Sequence, residues 1–299
     1  MALPDPADNA PRWLDWPAVA GIVVVLTAVR LYVSAHIGLS FDESYYTFWS
    51  EYPSTGYLDH PPAVAWLIAA GRRVLGNDEL GVRVGFALCE IGIAAALYRV
   101  GTLLFRPALG ALAALLYVLT PVSGLGFLAT PDPPSALFWI ATLWAVAEYA
   151  TSGRPAWWLL AGVSAGLGLW SKYTDAFLAP GLLLYLLAAP ERRQWLRQWP
   201  VWAGAALALV VFSPVLWWNF AHDWASFRFQ GRRTVMTGID PNWGVNLVEL
   251  LAGQALFLGP LLLIFALAGA AAFALRREPR LALPFWSSLP AAGYFVWHT

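Results

Sequence analysis

The chain has 299 residues, 59% of them hydrophobic and 12% charged, with acidic and basic side chains in equal number. Soluble domains carry roughly 25% charged residues, so composition excludes an ordinary soluble enzyme, and a formal net charge of zero excludes a partner held by bulk electrostatics, such as nucleic acid. The single cysteine, Cys89, excludes an intramolecular disulfide.

A helix crosses roughly 30 Å of hydrocarbon with about 20 mostly apolar residues. Residues 1–16 are a short tail containing Pro and Asp, and the first long apolar stretch runs from Pro17 to Ile37. It exceeds a signal-peptide core of roughly 7–15 residues and ends in Ser34-Ala35-His36, a poor cleavage site, so it is predicted to stay as an anchor. A long loop, 38–83, follows. Within it Phe41-Asp42-Glu43-Ser44-Tyr45-Tyr46 places adjacent carboxylates beside the bilayer, a costly arrangement unless they are paired or used. Capping of a helix start by Asp42 is the plainer reading. Next come Gly56-Tyr57-Leu58-Asp59-His60-Pro61-Pro62, in which a Pro pair fixes an Asp-His unit, or simply a turn. Tyr45–Trp49 and Ala63–Val74 are predicted as interfacial helices in this loop.

Further spans are predicted at Val84–Leu104 and Leu109–Phe127. Ala129-Thr130-Pro131-Asp132-Pro133-Pro134 then opens a fourth span, Ser135–Ala150, in the way a helix N-terminus is commonly written. Trp157–Trp170 carries Gly162 and Gly166, which read as a small-residue contact between membrane helices. Ser171-Lys172-Tyr173-Thr174-Asp175 holds the only lysine in the chain. It either snorkels to the interface or has a specific role. Spans at Ala176–Ala189 and Val201–Trp218 lead into a second long loop, 219–246, whose Trp217-to-Gln230 segment is aromatic and includes His222, Asp223 and Arg228, with Arg232 and Arg233 beyond. Leu247–Leu275 and Leu281–Trp297 complete nine spans.

Nine spans with the N-terminus cytoplasmic put Arg12, Arg99, Arg106, Arg154, Arg192, Arg193, Arg197, Arg276, Arg277 and Arg280 at inner ends, as the positive-inside tendency requires. Merging Trp157–Trp170 with Ala176–Ala189 would put the Arg276–Arg280 cluster outside. Both long loops then face outward, and loops of that length in a compact unit are usually functional or disordered. Their aromatic content argues against disorder. Outer carboxylates, outer cations and an apolar interior suit transfer of a group from a lipid-linked phosphate to an acceptor hydroxyl: a carboxylate removes the acceptor proton and cations neutralise the departing phosphate. Other chemistries lack their residues. Gly162 to Lys172 has no Gly-Lys-Ser/Thr, four scattered histidines and one cysteine offer no paired zinc spacing, and no Gly-x-Ser-x-Gly occurs.

The ordered set Asp42-Glu43, Tyr-x-Asp-His-Pro-Pro, Thr-Pro-Asp-x-Pro, Ser-Lys-Tyr-Thr and Trp-Asn-x-x-His-Asp-Trp-x-Ser-Phe-x-Phe-Gln, covering Asp42 to Gln230, resembles glycosyltransferase family 39. That family comprises the dolichyl-phosphate-mannose protein mannosyltransferases and the bacterial aminoarabinose lipid A transferases. The resemblance implies an all-α, polytopic GT-C-like fold over 17–299 and an inverting transfer from a polyprenyl-phosphate sugar on the periplasmic face of the inner membrane. The acceptor is a hydroxyl of a lipid, a glycan or a protein, and neither cofactor nor metal is implied. By the same resemblance Asp42 matches the catalytic base with Glu43 beside it, and Asp132 a second outer acid. His60 and Lys172 match positions near the donor phosphate, with Arg228, Arg232 and Arg233 as further phosphate ligands. Tyr45, Asp59, Tyr173, His222 and Asp223 complete the expected surroundings. Members of the family are commonly longer, so the resemblance also implies a chain short on its C-terminal side. A non-catalytic lipid-linked-sugar binder on the same scaffold is the competing reading, and an ion transporter is the third.

Overall fold

A computed structural model describes residues 14–234 and 243–298, with 233 and 234 in backbone only. The described residues are helical, without strands. Asp15 caps α1 (Trp16–Ser34) by accepting the Ala18 N–H at 2.9 Å. In the first loop α2 (Phe41–Glu51) is longer than the predicted Tyr45–Trp49, because Ser40 and Glu43 close a capping box around its first turn. The α3 helix (Ala63–Leu75) follows the Pro pair and buries Val64, Ala65, Ile68 and Ala69. Tyr46, Trp49, Val64, Ile68 and Phe86 form one apolar cluster, so the two loop helices sit on the long helix α4 (Glu79–Leu104). That helix starts five residues before the predicted Val84 because Asp78 accepts the Gly81 N–H.

Two predicted spans are not single helices. The first, Leu109–Phe127, is helical only as α5 (Pro107–Val118); Pro121 opens a one-turn α6 (Pro121–Gly124), and turns lead to α7 (Asp132–Ser152). After α8 (Pro155–Ser171), a 3-10 turn (Tyr173–Phe177) and α9 (Leu178–Leu187) descend to α10 (Pro190–Arg193). The α11 helix (Trp199–Ala221) returns, and α12 (Ala225–Thr234) occupies the second loop. Residues 235–242 of that loop and residues 1–13 of the tail lie outside the described residues. The other, Leu247–Leu275, is α13 (Trp243–Leu258) and α14 (Pro260–Arg276), bent by 114° at Gly259. Gly259 has φ +85° and Pro260 lacks an N–H, so the helix cannot pass through. The last helix is α15 (Ala282–Trp297).

By length and apolarity, three described helices, α1, α4 and α11, suffice to cross a bilayer singly, or up to five spans if each bent pair is one. The chain is thus a multi-pass membrane protein, and the expected nine crossings are not established. The α4 helix packs against α1, α3, α5 and α7, and α8 packs between α7 and α11. The α8–α11 contact is close, as the small residues predict: a Cβ on Gly162 would lie 2.1 Å from the Gly204 carbonyl oxygen. Polar residues collect at the opposite end of the bundle from the cluster of Tyr149, Trp158, Tyr185 and Leu186.

Candidate functional site

Adjacent acids on α2 have opposite environments. Asp42 is exposed, whereas Glu43 is 0% exposed and paired with Arg83, itself 1% exposed. Arg83 Nε and Nη2 donate to Glu43 Oε1 and Oε2, each at 2.7 Å, the bidentate fork that fits a carboxylate. The remaining guanidinium donors reach the carbonyls of Ser34, Ile37 and Gly38 at 2.6–3.0 Å. Glu43 also accepts the N–H groups of Ser40 at 2.9 Å and Ala129 at 3.1 Å. Burial alone would raise its pKa, but Arg83 and those two N–H groups outweigh it and hold the carboxylate below its ordinary value. One buried pair therefore fastens the end of α1, the start of α2, α4 and the segment entering α7. Glu43 thereby ties together the segments that carry Asp42 and Asp132.

Tyr46, one turn after Asp42, is the hub that sequence reasoning missed. Its phenol is raised by burial and then by the fields of Asp42, Asp59 and Asp132, so the charges of three acids from three chain segments act on one hydroxyl. His60 meets the Tyr46 ring edge-on at 6.1 Å between centroids. Tyr45 donates to Asp59 Oδ2 at 2.8 Å, and burial together with Asp59 pushes that phenol up to about 12. Asp132 opens α7 after the N-cap Pro131, and its Oδ1 pairs with Lys172 Nζ at 2.7 Å. Asp175, one 3-10 turn later, is buried and accepts from Ser135 at 2.6 Å, while its Oδ2 has no hydrogen-bond partner among the described residues. Neither Tyr46 nor Asp175 stands out in the sequence. Their spacing to Asp42 and Lys172, one helical turn in each case, is the signal that could have found them.

The second loop closes over this end. Asn219 is buried; its Oδ1 accepts the Phe227 N–H at 3.3 Å and its carbonyl the Trp224 N–H at 2.7 Å. Those bonds hold Asp223 and Trp224 at φ +53° and +59°, a left-handed conformation that non-glycine residues adopt at a cost. Asp223 and His222 thus belong to a turn. His222 Nδ1 donates to the Trp218 carbonyl at 2.8 Å and its ring stacks on Trp218 at 4.1 Å. Trp218 in turn fills the space where a Cβ on Gly56 would lie, 2.6 Å away. Helix α12 is tied to the site twice, through Gln230 to the Asp59 carbonyl and through Ser226 to the Tyr173 hydroxyl at 2.9 Å. It carries exposed Arg228 and Arg232 one turn apart; the Arg233 side chain lies outside the described residues. From Asp175 an apolar groove of about 420 Å³ runs between α8, α9 and α11, lined by Ala165, Leu169, Leu182 and Leu209 among others.

The expected residues therefore converge. The Tyr46 hydroxyl feels the charges of Asp42, Asp59 and Asp132, its ring meets His60, Lys172 pairs with Asp132, and α12 is tied to Asp59 and Tyr173. Among the described residues no three His, Cys, Asp or Glu side chains form a metal-holding group.

The chain is 29% identical over 259 residues to the lipid A galacturonosyltransferase RgtD of Rhizobium johnstonii, covering 83% of this chain and 53% of the relative. It is 32% identical over 162 residues to an undecaprenyl phosphate-alpha-4-amino-4-deoxy-L-arabinose arabinosyl transferase of Pseudomonas fluorescens, covering 52% and 27%. The chain thus spans about half or less of the length of these relatives. Among solved structures, the archaeal oligosaccharyltransferase AglB from Archaeoglobus fulgidus superposes with a TM-score of 0.58 at 15% identity, over 96% of this chain and 48% of that one. That likeness shows the GT-C-like fold alone. Residues 59–218, from the Asp-His-Pro-Pro turn to the end of α11, match the family model described as dolichyl-phosphate-mannose-protein mannosyltransferase, and the chain belongs to that family.

Proposed function

We propose that the protein is an integral membrane glycosyltransferase that moves a sugar from a polyprenyl-phosphate donor to an acceptor hydroxyl on the periplasmic face of the inner membrane, with inversion. The observation that carries this reading is the convergence of Asp42, Asp59 and Asp132 on Tyr46, with Lys172 on Asp132. In the reaction the acceptor oxygen attacks the anomeric carbon while the bond from that carbon to the phosphate oxygen breaks. Asp42, exposed and in no ion pair among the described residues, takes the acceptor proton. Lys172, His60 and the α12 arginines meet the negative charge gathering on the leaving phosphate. The apolar groove below Asp175 suits the polyprenyl chain, placing its phosphate beside Lys172. The relatives' names, which specify lipid A and an undecaprenyl phosphate sugar, support this donor and acceptor chemistry.

Membranes containing the protein, incubated with labelled polyprenyl-phosphate sugars and lipid, glycan or peptide acceptors, are expected to transfer label from at least one donor. Label that stays on every polyprenyl donor overturns the reading. Lys172→Met separates function from stability. Its partner Asp132 is 69% exposed, so the pair contributes at most about 1 kcal/mol to folding. Loss of a phosphate-facing cation is expected to slow transfer on the order of 10²-fold. Parallel assays of thermal unfolding and transfer check this; a large stability loss with normal transfer refutes the role.

A further inference from the structure

Helix α4 carries a buried acid, Glu90, which the site above does not use. It lies eleven residues after Glu79, roughly 16 Å along the helix at 1.5 Å per residue, near the middle of α4. Glu90 is 4% exposed and accepts from Ser123 at 2.7 Å and from Tyr117 at 3.0 and 3.1 Å. Arg30 donates to the Ser123 hydroxyl at 3.0 Å and to the Val118 carbonyl at 2.5 Å, and its charge acts on Glu90 without a direct contact between them. Among the described residues no cation forms an ion pair with it. A buried acid within a helix long and apolar enough to cross a membrane is expensive and ordinarily functional.

The backbone facing Glu90 is irregular as well, since α5 stops at Val118 and residues 119–131 pass through α6 and turns. At membrane depth, irregular backbone persists where it lines a cavity or is buried in protein. Here a cavity of about 180 Å³ is lined by Glu90, Tyr117, Gly126, Thr130 and Asp132, with Phe257 of α13 across from them. Gly126 brings the backbone against the carboxylate, since a Cβ there would lie 2.1 Å from Oε1. Two properties follow. The volume equals roughly six waters at about 30 Å³ each, the scale of one sugar ring. The charged side chains on the lining, Glu90 and Asp132, are both carboxylates, and Lys172 pairs with Asp132 from outside it.

We propose that this cavity receives the transferred sugar ring, and that Glu90 selects a ring presenting hydroxyl or amino donors over one carrying a carboxylate. The inference rests on the glycosyltransferase reading and deepens it. A hydroxyl or ammonium group donates to a carboxylate that lacks a direct cation. A uronate would instead set like charges together. The two relatives named above, a galacturonosyltransferase and an aminoarabinose transferase, span this choice.

The test compares kcat/KM for polyprenyl-phosphate donors carrying 4-amino-4-deoxyarabinose, mannose and galacturonate. The wild type is expected to use the amino or the neutral sugar in preference to galacturonate. In Glu90→Gln that preference is expected to shrink by about 10- to 100-fold, the size of a charge-assisted hydrogen bond, with Glu90→Asp in between. A purely structural role would lower all donors together. Thr130→Lys, which adds a cation to the lining without touching Glu90, is expected to shift preference toward galacturonate. Preference for galacturonate in the wild type, or donor ratios unchanged in both Glu90→Gln and Thr130→Lys, overturns the inference while leaving the enzyme reading intact. No transfer from any donor by the wild type overturns the enzyme reading and this inference with it.

Discussion

Asp42→Asn is expected to lower sugar transfer on the order of 10²- to 10⁴-fold, the usual contribution of a positioned general base, with little change in folding. The substitution keeps shape and removes the ability to take a proton. Its neutrality toward the fold follows from the division of labour on α2. Ser40 and Glu43 close the capping box, and Glu43 alone is held by Arg83 and Ala129, so an exposed amide at position 42 breaks none of these bonds. Donor binding should also survive, because the phosphate-facing cations are on other segments. The informative pattern is kcat falling with KM nearly unchanged and thermal unfolding in detergent at the wild-type midpoint. Turnover at the wild-type rate would remove Asp42 from the mechanism.

The sequence made the acidic pair conspicuous without dividing its roles. Capping by Asp42 was the plainer reading, and the structure assigns the cap to Ser40 and Glu43. Ser40-Phe41-Asp42-Glu43 has the Ser-x-x-Glu spacing of a capping box, so that assignment was legible. Its partner Arg83 was not, being 40 residues away on a different helix, as pairing across sequence is set by packing. Asp132 shows the reverse. Thr-Pro-Asp-x-Pro does write a helix start, but the acid pairs with Lys172, and a contact between α7 and the end of α8 cannot be read from either motif alone. The helical breaks divide in the same manner. Gly259-Pro260 is a local breaker inside a run apolar enough to read as one span. The end of α5 at Val118 depends on Pro121 and on Tyr117 and Ser123 reaching Glu90 on α4, which apolarity conceals. The family resemblance picks out the candidate residues by order, and their common influence on Tyr46 is what the fold adds.

Arg83→Met is expected to destabilise the protein by about 3–5 kcal/mol, the range found when one partner of a buried ion pair is removed. Burial makes the full range applicable: Glu43 is 0% exposed and Arg83 1%, so solvent does not screen the charge left behind. The variant also strands three carbonyls, at Ser34, Ile37 and Gly38, that have Arg83 as a donor. Glu43→Met should be comparably costly, since it removes the carboxylate that accepts from Ser40 and Ala129. The double variant should lose less than the two single losses combined, because neither charge is then left unpaired. Arg83→Lys keeps the charge but not the fork of donors. It should retain part of the stability and still slow transfer, because α2 and the segment entering α7, which carry Asp42 and Asp132, are no longer held in register. Chemical unfolding of the four variants in detergent, with transfer assayed alongside, checks the scheme. An Arg83→Met variant within about 1 kcal/mol of wild type would show that the pair does not anchor the site, and strictly additive losses would show that the two residues act separately.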